Sequence, residues 1–402
     1  MFRETWKRNL TMLWISQILV MAGYDALNPF IPLFMKESLH VTETAALAKY
    51  AALYNAASYI GYGISNPLWG WLGDRYGMKP MLLRGTFLTS IFWVLMLYSK
   101  SPDMLVFFRF LTAFLAGTTA ASQMMVARTT PIERQGFAQG TLSTAIWGGS
   151  MLGNMIGGLV IHYSGYKSAF WMCGIMYFMA GIAIFPTRDS GTASMKATVS
   201  DAAPKVSWWK RMELPRGVWC VLGLFFLMGI IRRMELPFIS LRVEEITGIK
   251  MAAYWTGIIS ASVGLGAILS GVIFGHLVDK YPAKKLIIPV MAAFALFMIF
   301  QGLGMRLSVF GVSRTLSYFI AGCLQPMLQK LLSQNAPTER RGISFGLSSS
   351  ATSVGGVIAS SMGAVLMTRF GVQGVFIGAG LIALLLTPVY YKGVKMASRK
   401  NG

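Results

Sequence analysis

Six charged residues interrupt stretches of the sequence that are otherwise apolar and long enough to cross a membrane. A charged side chain at the centre of a bilayer costs about 2.5–3.5 kcal/mol, so a functional role is expected for such residues. A buried carboxylate can change its protonation state near neutral pH, because burial favours the neutral form whereas a neighbouring Arg favours the charged form. The pattern therefore predicts reversible proton binding. The six residues are Asp25, Arg109, Arg232, Arg233, Glu235 and Arg314.

The positions of these charges along their helices predict two arrangements. A rise of about 1.5 Å per residue places Asp25 and Arg109 in the outer half of the bilayer, where they can meet. Glu235 is expected to meet Arg314, or else the neighbouring pair of arginines at 232 and 233. We interpret Asp25, Arg109, Glu235 and Arg314 as proton-coupling residues, with protonation of Asp25 releasing Arg109. The alternative is a static ion pair that holds helices together.

Polar side chains in the same stretches are candidates for a substrate cavity. The excess of buried Arg over carboxylates favours an anionic or zwitterionic compound, or one rich in hydrogen-bond acceptors. For each uncharged candidate, an interhelical hydrogen bond or anchoring at the membrane surface is the commoner role. The candidates are Arg232, Arg233, Gln17, Tyr24, Asn28, Asn55, Tyr59, Tyr254, Trp255 and Gln325.

The elements that must position these residues are membrane-spanning helices. Of the 402 residues, 54% are hydrophobic and 13% are charged, whereas soluble domains carry about 25% charged residues. Apolar stretches close to the length of about 20 residues that crosses a hydrocarbon core recur along the whole chain. They predict an all-α membrane protein. The twelve predicted spans are 10–35, 47–72, 82–99, 104–127, 137–161, 166–186, 217–241, 252–277, 286–305, 307–332, 343–367 and 373–391.

Basic residues predict the orientation of the chain. With both termini on one side, that side holds 24 of the 36 Lys and Arg. It is expected to be the cytoplasm, which also accounts for the net charge of +21 without a nucleic-acid partner. A polar stretch separates the first six spans from the last six. We predict an N-terminal six-helix bundle at 1–186, a cytoplasmic linker at 187–216 and a C-terminal six-helix bundle at 217–402.

Four sequence matches relate the two halves and keep nearly one register. Parallel repeats of six helices are typical of transporters that rock two bundles around a central site. The matches are Asp74-Arg75 with Asp279-Lys280, RFLTAFLAG at 109–117 with RTLSYFIAG at 314–322, TPIERQGFAQG at 130–140 with APTERRGISFG at 336–346, and NPFIPLF at 28–34 with LPFISLR at 236–242.

The loop after span 2 carries a longer motif, GWLGDRYGMKP at 70–80, with a degraded copy, GHLVDKYPAKK, at 275–285. With this motif the chain resembles the major facilitator superfamily over nearly its whole length. The resemblance implies twelve helices in two six-helix bundles and makes the loop a conformational latch. Arg75 and Lys79 are expected to face the cytoplasmic headgroups. The gating residues implied are Gly70, Asp74, Arg75, Gly77, Lys79 and Asp279.

Two further patterns are similar to those of twelve-span drug:proton antiporters in that family. In span 1, Gly23 precedes the stretch Pro29-Phe30-Ile31-Pro32, and span 5 repeats glycine at intervals that allow close helix packing. Asn154 stands where the family has proline. The family also associates an Arg in span 4, here Arg109, with proton coupling. The packing residues implied in span 5 are Gly149, Gly153, Gly157 and Gly158.

The leading hypothesis is proton-coupled export of small organic compounds, including multidrug efflux, by alternating access. The alternative is proton-coupled uptake of an organic anion, a sugar or a peptide-like nutrient. Motifs for nucleophilic catalysis, phosphate binding or metal coordination do not occur, which disfavours an enzyme and an ATP-driven pump. We expect neither a metal nor a cofactor, with the proton gradient as the energy source. The protein is expected to be a monomer in the bacterial inner membrane. Its expected partners are a small-molecule substrate, protons and lipid.

Overall fold

The computed structural model describes residues 2–131, 134–188, 214–337 and 341–398, and their regular secondary structure is helical throughout. Hydrocarbon supplies no hydrogen-bond partner, so a spanning segment must satisfy its own N–H and C=O groups, as a helix does. The predicted all-α fold is confirmed. The fourteen α-helices of these ranges are α1 (Phe2–Asp25), α2 (Ile31–Glu37), α3 (Thr44–Tyr76), α4 (Met78–Met96), α5 (Pro102–Leu115), α6 (Thr118–Thr129), α7 (Gln135–Ile184), α8 (Arg216–Arg233), α9 (Ile239–Thr247), α10 (Ile249–Lys280), α11 (Ala283–Leu303), α12 (Leu307–Ala321), α13 (Leu324–Asn335) and α14 (Arg341–Ser398).

Spans 1 and 7 are each broken in two at the same place in the repeat. Short 3₁₀ turns at Asn28–Phe30 and Leu236–Phe238 separate α1 from α2 and α8 from α9. Pro29 and Pro237 lack a backbone N–H and cannot continue the hydrogen bonding of the preceding helix. The NPF and LPF motifs that identify the repeat are therefore also the points where it bends.

Spans 4 and 10 are broken at the Ala-Gly pair that ends the second repeat motif. In the first half, Gly117 has a left-handed backbone with φ 80°, which glycine adopts at little cost, between α5 and α6. In the second half, α12 ends at Ala321 and α13 begins at Leu324. The break is thus common to both halves, although only the first uses a positive φ.

Two helices are longer than a single span. The 50-residue α7 contains Gly165 with φ 75°, and the 58-residue α14 contains Gly371 with φ 70°. Both glycines have non-helical backbone angles and lie in the predicted loops between spans 5 and 6 and between spans 11 and 12. Each long helix therefore consists of two spans that meet at a glycine.

By length and composition alone, seven helical stretches of the described chain could cross a membrane. The two longest contain the glycine junctions, so the seven stretches account for nine of the twelve predicted spans. The helices that contain predicted spans 2, 3 and 8 are not among these seven stretches. The stretches are Trp6–Glu37, Pro102–Thr129, Gln135–Ile184, Arg216–Thr247, Ala283–Leu303, Leu307–Asn335 and Ile343–Ser398.

The chain packs into two compact units that differ from the two sequence repeats. Helices α3 and α10 contribute residues to both units, so the predicted domain boundaries at 186 and 217 stay a prediction. The predicted linker lies almost entirely outside the described residues. Unit 1 contains Met1–Leu39, Ile60–Lys205 and Ala253–Gly264, and unit 2 contains His40–Tyr59, Val206–Ala252 and Leu265–Gly402.

In unit 1, α7 lies against α1 at a distance that only glycine permits. A Cβ atom at Gly153 or Gly157 would overlap the carbonyl oxygens of Ala22 or Ala26, respectively. At Gly149 a Cβ would lie 2.6 Å from the Ile18 carbonyl oxygen. The predicted packing glycines of span 5 therefore lie along one seam between these two helices.

The fourth predicted packing glycine, Gly158, faces a different helix of unit 1. A Cβ there would lie 2.7 Å from the carbonyl oxygen of Ala253 and 2.9 Å from the Cα of Gly257, both in α10. Unit 2 repeats the main seam between α8 and α14. A Cβ at Gly355 would overlap the Phe226 carbonyl oxygen, and one at Gly363 would lie 2.6 Å from that of Met234.

Replacing a seam glycine by alanine is expected to separate α1 from α7. Gly153→Ala should lower the free energy of unfolding by about 1–3 kcal/mol, the usual cost of overpacking. Gly148→Ala is the matched control, because a Cβ there meets no atom within 4 Å. The free energy of unfolding of that variant should be unchanged or higher by up to about 1 kcal/mol, because alanine is favoured over glycine in a helix. Unfolding of the purified protein in detergent measures the free energy of unfolding of both variants. Equal losses in Gly153→Ala and Gly148→Ala would contradict close packing at the seam.

Candidate functional site

Arg109 in α5 is the centre of a polar cluster in unit 1. Its side chain is 1% exposed, and its Nη2 donates to the Tyr24 hydroxyl at 2.8 Å and to Asn28 Oδ1 at 3.2 Å. The guanidinium also lies 4.7 Å from the centre of the Tyr24 ring and 5.7 Å from that of Trp93. Neutral oxygen atoms and aromatic faces thus accommodate this buried cation.

Asp25 lies at the edge of the Arg109 cluster. The residue as a whole is partly exposed, and its carboxylate accepts a hydrogen bond from Ser150 of α7 and lies within electrostatic range of Arg109. Consecutive residues on a helix point about 100° apart, so Tyr24 can hydrogen-bond Arg109 while Asp25 turns toward α7. The two residues predicted to interact are therefore brought into one neighbourhood, with Tyr24 and Asn28 as hydrogen-bond partners of the arginine.

Glu235 and Arg314 form the second cluster, in unit 2. They are 0% and 2% exposed, and Glu235 Oε1 lies 3.7 Å from Arg314 Nη1. The hydroxyl of Tyr318 donates to the same carboxylate oxygen at 2.8 Å. Of the alternatives that the sequence left open, the structure pairs Glu235 with Arg314.

Gln301 of α11 supplies Arg314 with a further acceptor. Arg314 Nη1 donates to Gln301 Oε1 at 3.2 Å, and Gln301 Nε2 donates to the Ser317 hydroxyl at 3.0 Å. That hydroxyl in turn donates to the Arg314 carbonyl at 2.8 Å. The network fixes the guanidinium between α11 and α12.

Three buried atoms of the second cluster have no hydrogen-bond partner within the described residues. They are Glu235 Oε2, Arg232 Nε and Arg314 Nε. Leaving a buried polar atom unpaired costs about 1–3 kcal/mol, and more for a charged group. Glu235 therefore has one oxygen held by Tyr318 and one oxygen free to bind a proton.

The adjacent arginines of α8 contact different tyrosines. The guanidinium of Arg232 lies 5.6 Å from the ring centre of Tyr318, so it belongs to the Glu235 cluster. The guanidinium of Arg233 lies 4.5 Å from the ring centre of Tyr59, in another part of unit 2. Stacking on an aromatic face partly compensates each cation for lost hydration.

Gln17 is a structural link between helices. This side chain is fully buried, donates to the Ser122 hydroxyl at 3.0 Å and accepts from the Thr119 hydroxyl at 3.2 Å. Both partners lie in α6. The hydrogen-bonding groups of Gln17 therefore bind α1 to α6, the role that the sequence gave as the commoner one for such a residue.

The remaining cavity candidates are dispersed. Asn55 donates to the Ala51 carbonyl of its own helix at 3.1 Å. The Tyr254 ring lies edge-on to Trp255, with 5.2 Å between ring centres. Gln325 is exposed at the start of α13. These four residues are not brought into the Arg109 or Glu235 clusters by the contacts of the described residues.

The loop after α3 places its glycine and its basic residues as follows. Gly77 has φ 94° and joins α3 to α4, a backbone conformation that glycine allows. Arg75 lies 5.7 Å from the Tyr76 ring centre. Lys79 donates to the carbonyls of Phe185 at 2.6 Å and Thr187 at 2.9 Å, and its predicted position at the headgroups stays a prediction. Gly70, Asp74 and Asp279 are outside the described side chains.

The hydrogen bonds of Lys79 have a simple cause. The last carbonyls of a helix have no intrahelical partner, and the C-terminal end of a helix attracts cations. Helix α7 ends at Ile184, so the carbonyls that follow are free to accept hydrogen bonds. A lysine close to such a helix end therefore has backbone acceptors within reach.

The sequence analysis missed Tyr318, Gln301 and Arg84. Tyr318 follows Arg314 by four residues, a spacing that places both on one helix face and could have identified it. Gln301 is an isolated amide in the apolar span 9. Arg84 lies near the start of predicted span 3, and its guanidinium is 3.2 Å from the Trp69 ring centre while its Nη2 donates to the Ala116 carbonyl at 3.2 Å.

Comparisons with known sequences cover nearly the whole chain. The sequence model of the Major Facilitator Superfamily matches residues 13–265 and 236–401. The Multidrug resistance protein MdtG of Citrobacter koseri is 30% identical over 383 residues, which are 94% of this chain and 93% of that protein. The protein of the same name from Rahnella sp. (strain Y9602) is 28% identical over 381 residues, with 94% and 92% covered.

Solved structures with the same fold are more distant in sequence. An auto-inhibited peptide transporter of the POT family has a TM-score of 0.78 at 14% identity, covering 98% of this chain and 97% of that one. A D-xylose-proton symporter has a TM-score of 0.72 at 16% identity, covering 94% and 96%. At these identities the likeness concerns the fold alone.

Removing Arg314 should expose the cost of an unpaired buried carboxylate. Arg314→Met is expected to lower the free energy of unfolding by about 3–5 kcal/mol. Adding Glu235→Gln to this variant should restore much of the loss, because the uncompensated charge is then gone. The control Arg306→Met, at an exposed arginine, should change the free energy of unfolding by less than about 0.5 kcal/mol. A double variant no more stable than Arg314→Met in chemical unfolding would refute this account.

Proposed function

The chain belongs to the Major Facilitator Superfamily, and on this premise we propose that it exports small organic compounds across a bacterial inner membrane in exchange for protons. The observation that carries the proposal is similarity over 94% of the chain to bacterial proteins named for multidrug resistance. The close glycine seam between α1 and α7 supports it, because the sequence pattern of that seam is similar to that of drug:proton antiporters.

Asp25 is proposed as the principal proton-binding residue. Its residue is partly exposed, unlike the fully buried Glu235, and its carboxylate lies within electrostatic range of Arg109. When ionised it attracts the guanidinium. When protonated it leaves Arg109 to its neutral partners, Tyr24 and Asn28. Because α1 and α5 hold these residues, a change in that attraction alters the force between the two helices.

Glu235 is proposed as a second coupling residue with a different role. Its burial is complete and Tyr318 holds one of its oxygens. Protonation would occur on the free oxygen and would weaken the attraction between Glu235 and Arg314. The two clusters thus give each unit a carboxylate whose charge controls the position of an arginine.

The substrates proposed are organic compounds rich in hydrogen-bond acceptors or carrying a negative charge. Arg232 and Arg233 each retain an aromatic neighbour within about 6 Å, and a planar guanidinium recognises carboxylates and other paired acceptors. We further propose that both termini are cytoplasmic, that the proton gradient is the energy source without a cofactor, and that the transporter works as a monomer.

Proteoliposomes containing a pH-sensitive dye test the direction of coupling. A panel of anionic, zwitterionic, neutral and cationic compounds is added to wild type and to Asp25→Asn. In wild type, a transported compound and protons should move in opposite directions. Asp25→Asn should reduce the exchange rate by at least about tenfold, a change of about 1.4 kcal/mol in the barrier, because the side chain can no longer change its charge.

Asp103→Asn is the matched control, since it makes the same substitution at an exposed carboxylate at the start of α5. It should leave exchange unchanged. If the compound and protons moved in the same direction, the proposal of export would fail and proton-coupled uptake would take its place. Exchange that is indifferent to Asp25→Asn would make this carboxylate structural.

The proposed orientation can be tested by cysteine labelling. Native Cys173 and Cys323 are buried, so a Cys220→Ala background gives little labelling of its own. In right-side-out vesicles a membrane-impermeant maleimide should modify Lys100→Cys directly. It should reach Lys7→Cys only after the vesicles are lysed, because Lys7 lies on the basic side of the membrane. The opposite pattern would reverse the orientation.

A further inference from the structure

A positively charged cavity lies in unit 2 between the start of α11 and the end of α14. Its volume is about 440 Å³, and every residue that lines it carries an ammonium or hydroxyl group. Acidic side chains are missing from this lining in the described part of the chain. The lining residues are Lys284, Lys285, Tyr391, Lys395 and Ser398.

The equivalent place in the first repeat is already filled by the protein itself. Lys79 holds the repeat position of Lys284, since the loop motif recurs 205 residues later. Its ammonium group donates to the free carbonyls of Phe185 and Thr187, just beyond the end of α7. In unit 1 the chain thus supplies the acceptors that this cation needs.

In the second repeat, the positions that correspond to these acceptors lie within a helix. Helix α14 continues to Ser398, about two turns beyond the position that corresponds to the end of α7. Positions 391 and 393, which correspond to Phe185 and Thr187, therefore lie inside α14, where backbone N–H groups four residues later bind their carbonyls. The Ser398 hydroxyl donates to the Val394 carbonyl at 2.8 Å. The extension also brings a further cation, Lys395, to the cavity. Three ammonium groups therefore line this cavity.

The surroundings of the cavity favour a lipid. Basic pockets between membrane helices bind the phosphates of anionic lipid headgroups. Large apolar side chains are exposed along the same two helices, within about three turns of the lysines. Ile288 is 46% exposed, Val389 48% and Leu385 76%. A phosphate among the lysines would leave the acyl chains of its lipid to cover this apolar surface.

We propose that Lys284, Lys285 and Lys395 bind the phosphate headgroup of an anionic membrane lipid, with a two-phosphate headgroup of the cardiolipin type fitting three cations best. The shared chemistry is a phosphate in a lysine cavity, and the apolar surface beside it assigns that phosphate to a lipid. The proposed orientation determines which leaflet supplies the lipid. The proposal that the lysines bind a lipid does not depend on the proposed transport function.

Lipid binding to the purified full chain in neutral detergent tests the proposal. Native mass spectrometry with cardiolipin, phosphatidylglycerol and phosphatidylcholine gives dissociation constants directly, without reliance on stability. Replacing all three lysines (Lys284→Gln, Lys285→Gln, Lys395→Gln) should weaken cardiolipin binding about a hundredfold, if each lysine contributes roughly fivefold. The charge-preserving set Lys284→Arg, Lys285→Arg and Lys395→Arg should keep binding within a few-fold of wild type.

A second triple variant controls for net charge. Lys49→Gln, Lys100→Gln and Lys167→Gln remove the same three charges at exposed positions elsewhere, and cardiolipin should bind this variant as it binds wild type. Equal losses in the two glutamine triples, or no loss in the first, would overturn the site. If millimolar inorganic phosphate displaced the lipid fully, the apolar surface would contribute nothing and the assignment to a lipid would fail.

Discussion

Hydrocarbon offers no hydrogen-bond partner to a polypeptide backbone, and the rest of this structure depends on that constraint. Where a helix ends or breaks, carbonyl groups are released, and basic side chains bind several of them. Lys79 does so after α7, Arg84 does so at the break in span 4, and Arg242 binds two carbonyls at the end of α11 at 2.9 and 2.7 Å. Part of the large positive charge therefore serves to complete the helices.

The two repeat-related arginines occupy equivalent positions but have different surroundings. Arg109 is surrounded by neutral hydrogen-bond partners, with Asp25 at the edge, whereas Arg314 is paired with the fully buried Glu235. In the register of spans 1 and 7, Glu235 corresponds to Leu27. The carboxylates thus occupy different positions on equivalent helices. The residue Asp25 is partly exposed, whereas Glu235 is fully buried.

The candidate site was partly visible in the sequence. Charged residues are conspicuous in apolar stretches, because their insertion is costly, and this signal identified both arginines and both carboxylates. The uncharged members of the clusters, Tyr318 and Gln301, gave a much weaker signal. Their roles depend on which helices are neighbours. Hydrophobicity identifies a buried helix but does not say which face of it meets which partner.

The sequence by itself determined the helical fold and the repeat, and the prolines and glycines at which the structure bends are local features of that sequence. Hydropathy and the backbone preferences of proline and glycine are properties of consecutive residues, so they can be read without knowing any distant contact. Only the tertiary structure decided that Glu235 meets Arg314 and that α3 contributes residues to both units. These outcomes depend on distances between residues far apart in the chain, which side-chain packing sets and local sequence does not encode.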